Sequence, residues 1–151
     1  MHDSGVRVIV GVGVDVVAVP GFAEQLARPG TAFARAFTPG ERRDCAGSGA
    51  RDGSAEPPRT RAEQAKHFAA QSHGRAAPIK AWSAGVFGGP PVLPEAEMRE
   101  IEVVTDAWGR PSVRLRGEVA AAVRESLGEI AIHVSLSHDG DMAAAYVVIE
   151  R

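Results

Sequence analysis

The chain has 151 residues, 44% of them hydrophobic and 24% charged, which is the composition of an ordinary globular protein and the length of one domain. That excludes a disordered or collagen-like polymer, and the formal net charge of −2 gives no global field that would draw the chain onto nucleic acid or a membrane surface. The longest apolar run, residues 8–20, contains Asp15 and three glycines or prolines, so it falls short of the ~20 apolar residues of a membrane span. No basic cluster precedes an apolar stretch near Met1, so no signal peptide is expected. Cys45 is the one cysteine and no Cys/His set has zinc spacing, so the expected setting is cytoplasmic. Residues 35–75 hold eight Lys/Arg against five acids, whereas residues 95–106 hold five acids against Arg99. A basic middle of this kind suits an anionic partner.

Residues 6–19 read as a strand rich in β-branched side chains. Gly11 and Gly13 interrupt it, which predicts a bulge or a close backbone approach. Their Gly-x-Gly lacks the third glycine and the helix opening of a dinucleotide loop. A short helix follows over 22–26, and Phe33 and Phe37 are spaced to share a helical face. Thr38-Pro39-Gly40-Glu41 is a helix start, with Thr38 as cap, Pro39 at the first position and Glu41 closing a capping box. Residues 47–61 carry alanine and proline as their only apolar side chains and read as a mobile loop.

Residues 62–82 read as a helix, with Gly74 and Pro78 four apart. A proline ring clashes with the carbonyl four residues back, which predicts a kink or break there. Gly88-Gly89-Pro90-Pro91 is a loop. Residues 101–105 and 112–115 flank Asp106-Ala107-Trp108-Gly109-Arg110-Pro111 as a hairpin. A helix over 118–127 ends at Gly128, and residues 130–137 and 142–150 flank Asp139-Gly140-Asp141 as a second hairpin. The order predicts an α+β fold with a largely antiparallel sheet. Trp82 and Trp108 read as packing residues, and His133 as structural.

Asp15, a carboxylate in an apolar strand, is the strongest functional candidate, because burial demands a cation, hydrogen bonds or a raised pKa. His138 beside Asp139 at a hairpin end, and His73 in the central helix, are candidate acid–base groups. Arg75 and Lys80 have the charge to hold a phosphate. Ser135 and Ser137 share a strand face with His133 by alternation and have no His/Asp relay that would make either a nucleophile.

Gly11-Val12-Gly13-Val14-Asp15, Phe37-Thr38-Pro39-Gly40-Glu41 and Ile132-His133-Val134-Ser135-Leu136-Ser137-His138-Asp139 together resemble the holo-(acyl-carrier-protein) synthases. Lys80-Ala81-Trp82-Ser83, Pro91-Val92-Leu93-Pro94-Glu95 and Trp108-Gly109-Arg110-Pro111 are similar to the actinobacterial branch of that family. The resemblance runs in order along almost the whole chain. It implies the 4′-phosphopantetheinyl transferase fold, a homotrimer with active sites between subunits, and transfer of 4′-phosphopantetheine from coenzyme A to a serine of apo acyl carrier protein with magnesium. It implies Asp15 as a magnesium-binding carboxylate, Lys80 on phosphate, and Ser137 and His138 near coenzyme A.

One family residue is missing. The family's aromatic-Ala-Ala-Lys-Glu-Ala-x-x-Lys-Ala aligns without a gap on Ser72-His73-Gly74-Arg75-Ala76-Ala77-Pro78-Ile79-Lys80-Ala81, so the magnesium-binding glutamate is Ala76; a register with a four-residue insertion puts Ser72 there instead. Neither supplies an anionic ligand. The changes cluster between Gln71 and Pro78, which leads to the expectation of a divergent enzyme with a remodelled site. It would use Asp15, His138 and His73 without a cofactor to cyclise, dehydrate or isomerise a small or carrier-tethered intermediate of specialised biosynthesis. The alternatives are an active magnesium-dependent transferase, with Asp15, waters and coenzyme A phosphates around the ion, and a non-catalytic binder of coenzyme A or of the acidic acyl carrier protein.

Overall fold

Alternation along the first strand sets the architecture. The computed structural model describes residues 5–30, 37–46, 60–90 and 98–151. In it, strand β1 (Ile9–Ala18) exposes Val12, Val14 and Val16 on one face and buries Gly11 and Gly13 on the other. β1 pairs antiparallel with β5 (Met142–Glu150), which pairs antiparallel with β4 (Ala131–Asp139), in the order β1-β5-β4. A second, two-stranded antiparallel sheet joins β2 (Ile101–Thr105) to β3 (Pro111–Leu115). The helices are α1 (Val19–Ala27), α2 (Pro39–Ala46), α3 (Arg61–Gly85) and α4 (Gly117–Leu127). The α+β class and the antiparallel pairing agree with the two hairpins expected from sequence.

The central helix begins at a capping box. Thr60 Oγ1 accepts from the Glu63 amide at 3.3 Å, and Glu63 Oε2 accepts from the Thr60 amide at 2.8 Å, which satisfies two donors the helix cannot pair itself. α2 uses the same device: Glu41 N donates to Thr38 Oγ1 and Thr38 N to Glu41 Oε2, at 3.2 and 2.8 Å. The face of α3 that meets the sheet is small, with Ala69, Ala77 and Ala81 fully buried. Small residues on both sides let helix and strand backbones approach: a Cβ added to Gly11 would lie 2.1 Å from the Ala81 carbonyl oxygen. The expected bulge is present too, as a register shift between Ile9 and Gly11.

Of the kink or break expected at Gly74–Pro78, the break does not occur. α3 runs through Pro78 as one helix of 25 residues. An interior proline costs about 3 kcal/mol, but Gly74 and Pro78 are both buried and packing on either side outweighs the lost hydrogen bond. Where Gly74 lacks a Cβ, the Val103 and Leu136 methyls close in to 2.9 and 3.2 Å of that position.

The core forms two clusters. One joins Ala77, Ala81 and Trp82 of α3 to Val119, Val123 and Leu127 of α4 and to Ala145, Val147 and Ile149 of β5. The other joins Val19 and Phe22 of α1 to Phe37, Ala65 and Ala69. Trp82 packs as expected and donates its indole N–H to Ser126 Oγ at 2.8 Å. Trp108 does not: it is 80% exposed, because it occupies the β2–β3 turn, with the Arg110 guanidinium 5.1 Å from its ring. Phe37 packs its ring edge against Phe68 at 4.7 Å. Phe33, most of the 47–61 loop and Pro91-Val92-Leu93-Pro94-Glu95 lie outside the described residues.

Candidate active site

Asp15 stands on the inward face of β1, opposite Ala145 of β5. The two inward residues before it are glycines, so α3 lies close enough for its side chains to reach the carboxylate. Lys80 Nζ donates to Asp15 Oδ1 at 2.6 Å and to the Val14 carbonyl at 3.0 Å. His73 Nδ1 meets the other oxygen, Asp15 Oδ2. His73 and Lys80 are seven residues apart, about two turns, and so share a helix face. Ala76, on the same face, lies between them and presents only a methyl group.

This is a half-enclosed site. The Asp15 side chain is 14% exposed, that of His73 19% and that of Lys80 56%. Burial pushes the Asp15 carboxyl up, but the hydrogen bonds from Lys80 and His73 and their charges outweigh it, leaving the pKa below the ordinary value of 3.8. Asp15 is therefore a carboxylate at neutral pH. The edge of the Phe22 ring packs on His73 at 6.2 Å.

His138 pairs with Ala143, which also faces Val17 of β1, so it lies on the Asp15 side of the sheet two residues further along. Its ring meets that of His67 of α3 at 5.8 Å. Ser137 is one residue out of phase and, with Ser135 and His133, faces the outer side of the sheet, away from Asp15. His133 Nε2 pairs there with Glu150 at 2.9 Å.

Arg75 is placed elsewhere. It is 1% exposed and grips Glu41 of α2 with two groups: Nε donates to Oε1 at 3.1 Å, and NH2 to Oε2. Burial pulls the guanidinium down to about 10, against the raising charge of Glu102, so it stays charged near neutrality. Glu41 Oε1 also accepts the Val103 amide at 3.2 Å. Sequence reasoning gave Glu41 only its capping role and passed over His67. A capping acid and an arginine on an alanine-rich helix were the available signal for the first; nothing local marks the second.

Among the described residues no three His, Cys, Asp or Glu side chains converge as a metal cage. Magnesium does not require one, since it keeps several waters and takes one or two carboxylates with substrate phosphates. The ionised Asp15 meets that modest demand, so the donor set fits the ion.

No family model matches the chain. The holo-[acyl-carrier-protein] synthase of Mycobacterium sp. (strain KMS) is 53% identical over 143 residues, covering 95% of this chain and 98% of the relative. That of Mycobacterium ulcerans (strain Agy99) is 53% identical over 142 residues, covering 94% and 97%. Among solved structures, the Chronobacterium ammoniagenes ACPS–CoA complex matches with a TM-score of 0.78 at 42% identity, over 92% of this chain and 95% of that one. Mycobacterium tuberculosis acyl carrier protein synthase matches with a TM-score of 0.67 at 42% identity, over 94% and 97%.

These relatives overturn the expectation of a remodelled, cofactor-free enzyme for cyclisation, dehydration or isomerisation. The likeness to synthases extends over nearly the whole chain, and none of them points to that chemistry. The altered residues occupy two turns of one helix, while Asp15 and Lys80 on either side of them still meet. At 53% identity over 95% of its length, the chain belongs to the holo-[acyl-carrier-protein] synthase family.

Proposed function

We propose that this protein transfers the 4′-phosphopantetheine arm of coenzyme A to a serine hydroxyl of apo acyl carrier protein. The observation that carries the reading is the Asp15–Lys80 pair at 2.6 Å, an anionic and a cationic group held side by side at the mouth of a half-enclosed site. The reaction breaks a diphosphate, so charge must be neutralised on oxygens of both fragments. An ammonium has three donors. Val14 and Asp15 take two from Lys80, and its third is open toward solvent for a phosphate oxygen. Asp15 holds Lys80 in place and is the residue that would hold magnesium. When bound, that ion neutralises diphosphate oxygens and orients them for in-line attack. His138 supplies a polar group on the same side of the sheet.

The acidic carrier expected of this family suits the basic middle of the chain. Exposed Arg42 and Arg61 line one groove beside α1, where opposite charge steers encounter more than it adds affinity. The homotrimer is part of the same reading. Val12, Val14 and Val16 of β1 with Met142 and Tyr146 of β5 leave an exposed apolar band on the outer sheet face, each of them 44–54% exposed. A patch of this kind suits a subunit interface, and Ser137 on that face would join a site only across it.

Incubation with coenzyme A, magnesium and apo acyl carrier protein, followed by mass spectrometry of the carrier, tests the proposal. A gain of the phosphopantetheine mass at catalytic enzyme concentration is expected, and an unchanged carrier mass overturns the reading.

A further inference from the structure

We propose that His73 is the second protein ligand of the divalent ion, standing in for the carboxylate absent at Ala76. The site would thereby shift from magnesium toward ions that accept nitrogen, among which manganese stays nearest to magnesium in also taking carboxylate and water oxygens. The inference rests on the transferase reading only for the presence of a divalent ion at Asp15.

Three observations converge on His73. Its Nδ1 already meets Asp15 Oδ2, while Lys80 occupies Oδ1, so the imidazole takes the side of the carboxylate that Lys80 leaves. His73 lies one helical turn before Ala76 on the face that serves Asp15, and an imidazole reaches several ångströms further than a methyl group. The ring is also held: only 19% of the side chain is exposed and Phe22 packs its edge against it. A histidine and a carboxylate converging in a part-buried position form a pair of ligand atoms. The bound ion would displace the hydrogen-bonding proton between Nδ1 and Oδ2, and that proton would pass to water.

The consequence is chemical selectivity. Magnesium is a hard ion that takes oxygen and binds imidazole poorly, whereas manganese, cobalt and zinc accept nitrogen with rising affinity. A second carboxylate favours magnesium; an imidazole in its place does not.

Manganese titrated into the whole protein, alone and with coenzyme A, supplies a readout independent of activity. Pulsed electron paramagnetic resonance of bound manganese should show coupling to an imidazole nitrogen. His73→Ala and His73→Gln should both abolish it with unchanged melting temperature. Loss of even an outer partner of a metal ligand costs about 10–100-fold in affinity, so calorimetry should show manganese affinity falling at least about tenfold in both variants, with magnesium affinity affected less. In the double variant His73→Ala/Ala76→Glu the preference for manganese over magnesium should shrink. Nitrogen coupling absent in the parent, coupling that survives in both His73 variants, or no manganese binding at all overturns the proposal. Nitrogen coupling without transfer to the carrier upholds the ligand and removes the transferase reading. Transfer without coupling does the reverse.

Discussion

Gly13 and Ala77 touch backbone to backbone: a Cβ built on Gly13 would lie 2.1 Å from the Ala77 carbonyl oxygen. This contact sets the depth of α3 on the sheet and therefore how far its side chains extend past β1. Asp15 lies two residues along the same face, so the spacing that fits Gly13 under the helix also brings Asp15 to Lys80 and His73. Packing and site share one cause.

Gly13→Ala should accordingly harm stability and activity together. Backbone cannot rotate away as a side chain can, so the cost should reach about 3 kcal/mol, the upper part of the usual overpacking range. Urea denaturation at fixed protein concentration measures it, and a loss below about 1 kcal/mol would mean that α3 shifts outward with ease.

The buried Glu41–Arg75 pair should behave as a unit. Arg75→Met leaves the Glu41 carboxylate buried with only the Thr38 and Val103 amides and should cost about 3–5 kcal/mol. Glu41→Leu takes from the buried guanidinium the carboxylate it grips with two groups, at similar cost. The double variant should be more stable than either single one, because removing both charges removes the desolvation penalty of each. A thermodynamic cycle on the four proteins reads the coupling, and additive losses would argue against it.

Lys80 has a role that length alone cannot fill. Lys80→Met keeps the stem and removes the ammonium, and should slow transfer to the carrier about 100-fold, the usual cost of losing one electrostatic clamp. Folding should change little, since the side chain is 56% exposed. Retained turnover in Lys80→Met would place phosphate recognition on other residues.

The β2–β3 turn should be acid-sensitive. Asp106 Oδ1 accepts the Arg110 and Trp108 amides, each at 2.9 Å. The Arg110 backbone bond, against slight burial and with the Arg110 side chain and the Trp108 amide adding to it, lowers its pKa below 3.8. A depressed folded-state pKa gives stability that is whole above the unfolded value and is lost as pH falls through the folded one. The stability deficit of Asp106→Ala should therefore be constant above about pH 4 and shrink in stronger acid. Carboxyl NMR titration of Asp106 gives the pKa directly, and a midpoint at or above 3.8 would contradict the geometry.

Local structure was legible in the chain. The capping box of α2 follows from Thr38-Pro39-Gly40-Glu41, and Gly109, Gly128 and Gly140 take the positive φ of turns and helix ends, because short-range hydrogen bonding and backbone sterics depend on neighbours in the chain; the Thr60–Glu63 box is equally local, yet its Thr60 lies where the sequence reads as loop. The carboxylate at Asp15 was legible too, since a charge inside an apolar alternating strand needs a partner wherever the strand lies. Who those partners are depends on how distant segments pack. Asp15 and His73 are 58 residues apart and Glu41 and Arg75 are 34 apart, and no periodicity encodes which helix face meets which strand. The same holds for Pro78, whose local penalty is real but smaller than the packing on both sides of it, so the helix is not interrupted where the sequence alone predicts a kink or break. Arg75 shows the limit most plainly: two residues along from His73, it turns to the opposite side of α3 and binds Glu41, because a helix advances about 100° per residue and only the neighbours of each face decide whether a cation holds a ligand or holds the fold together.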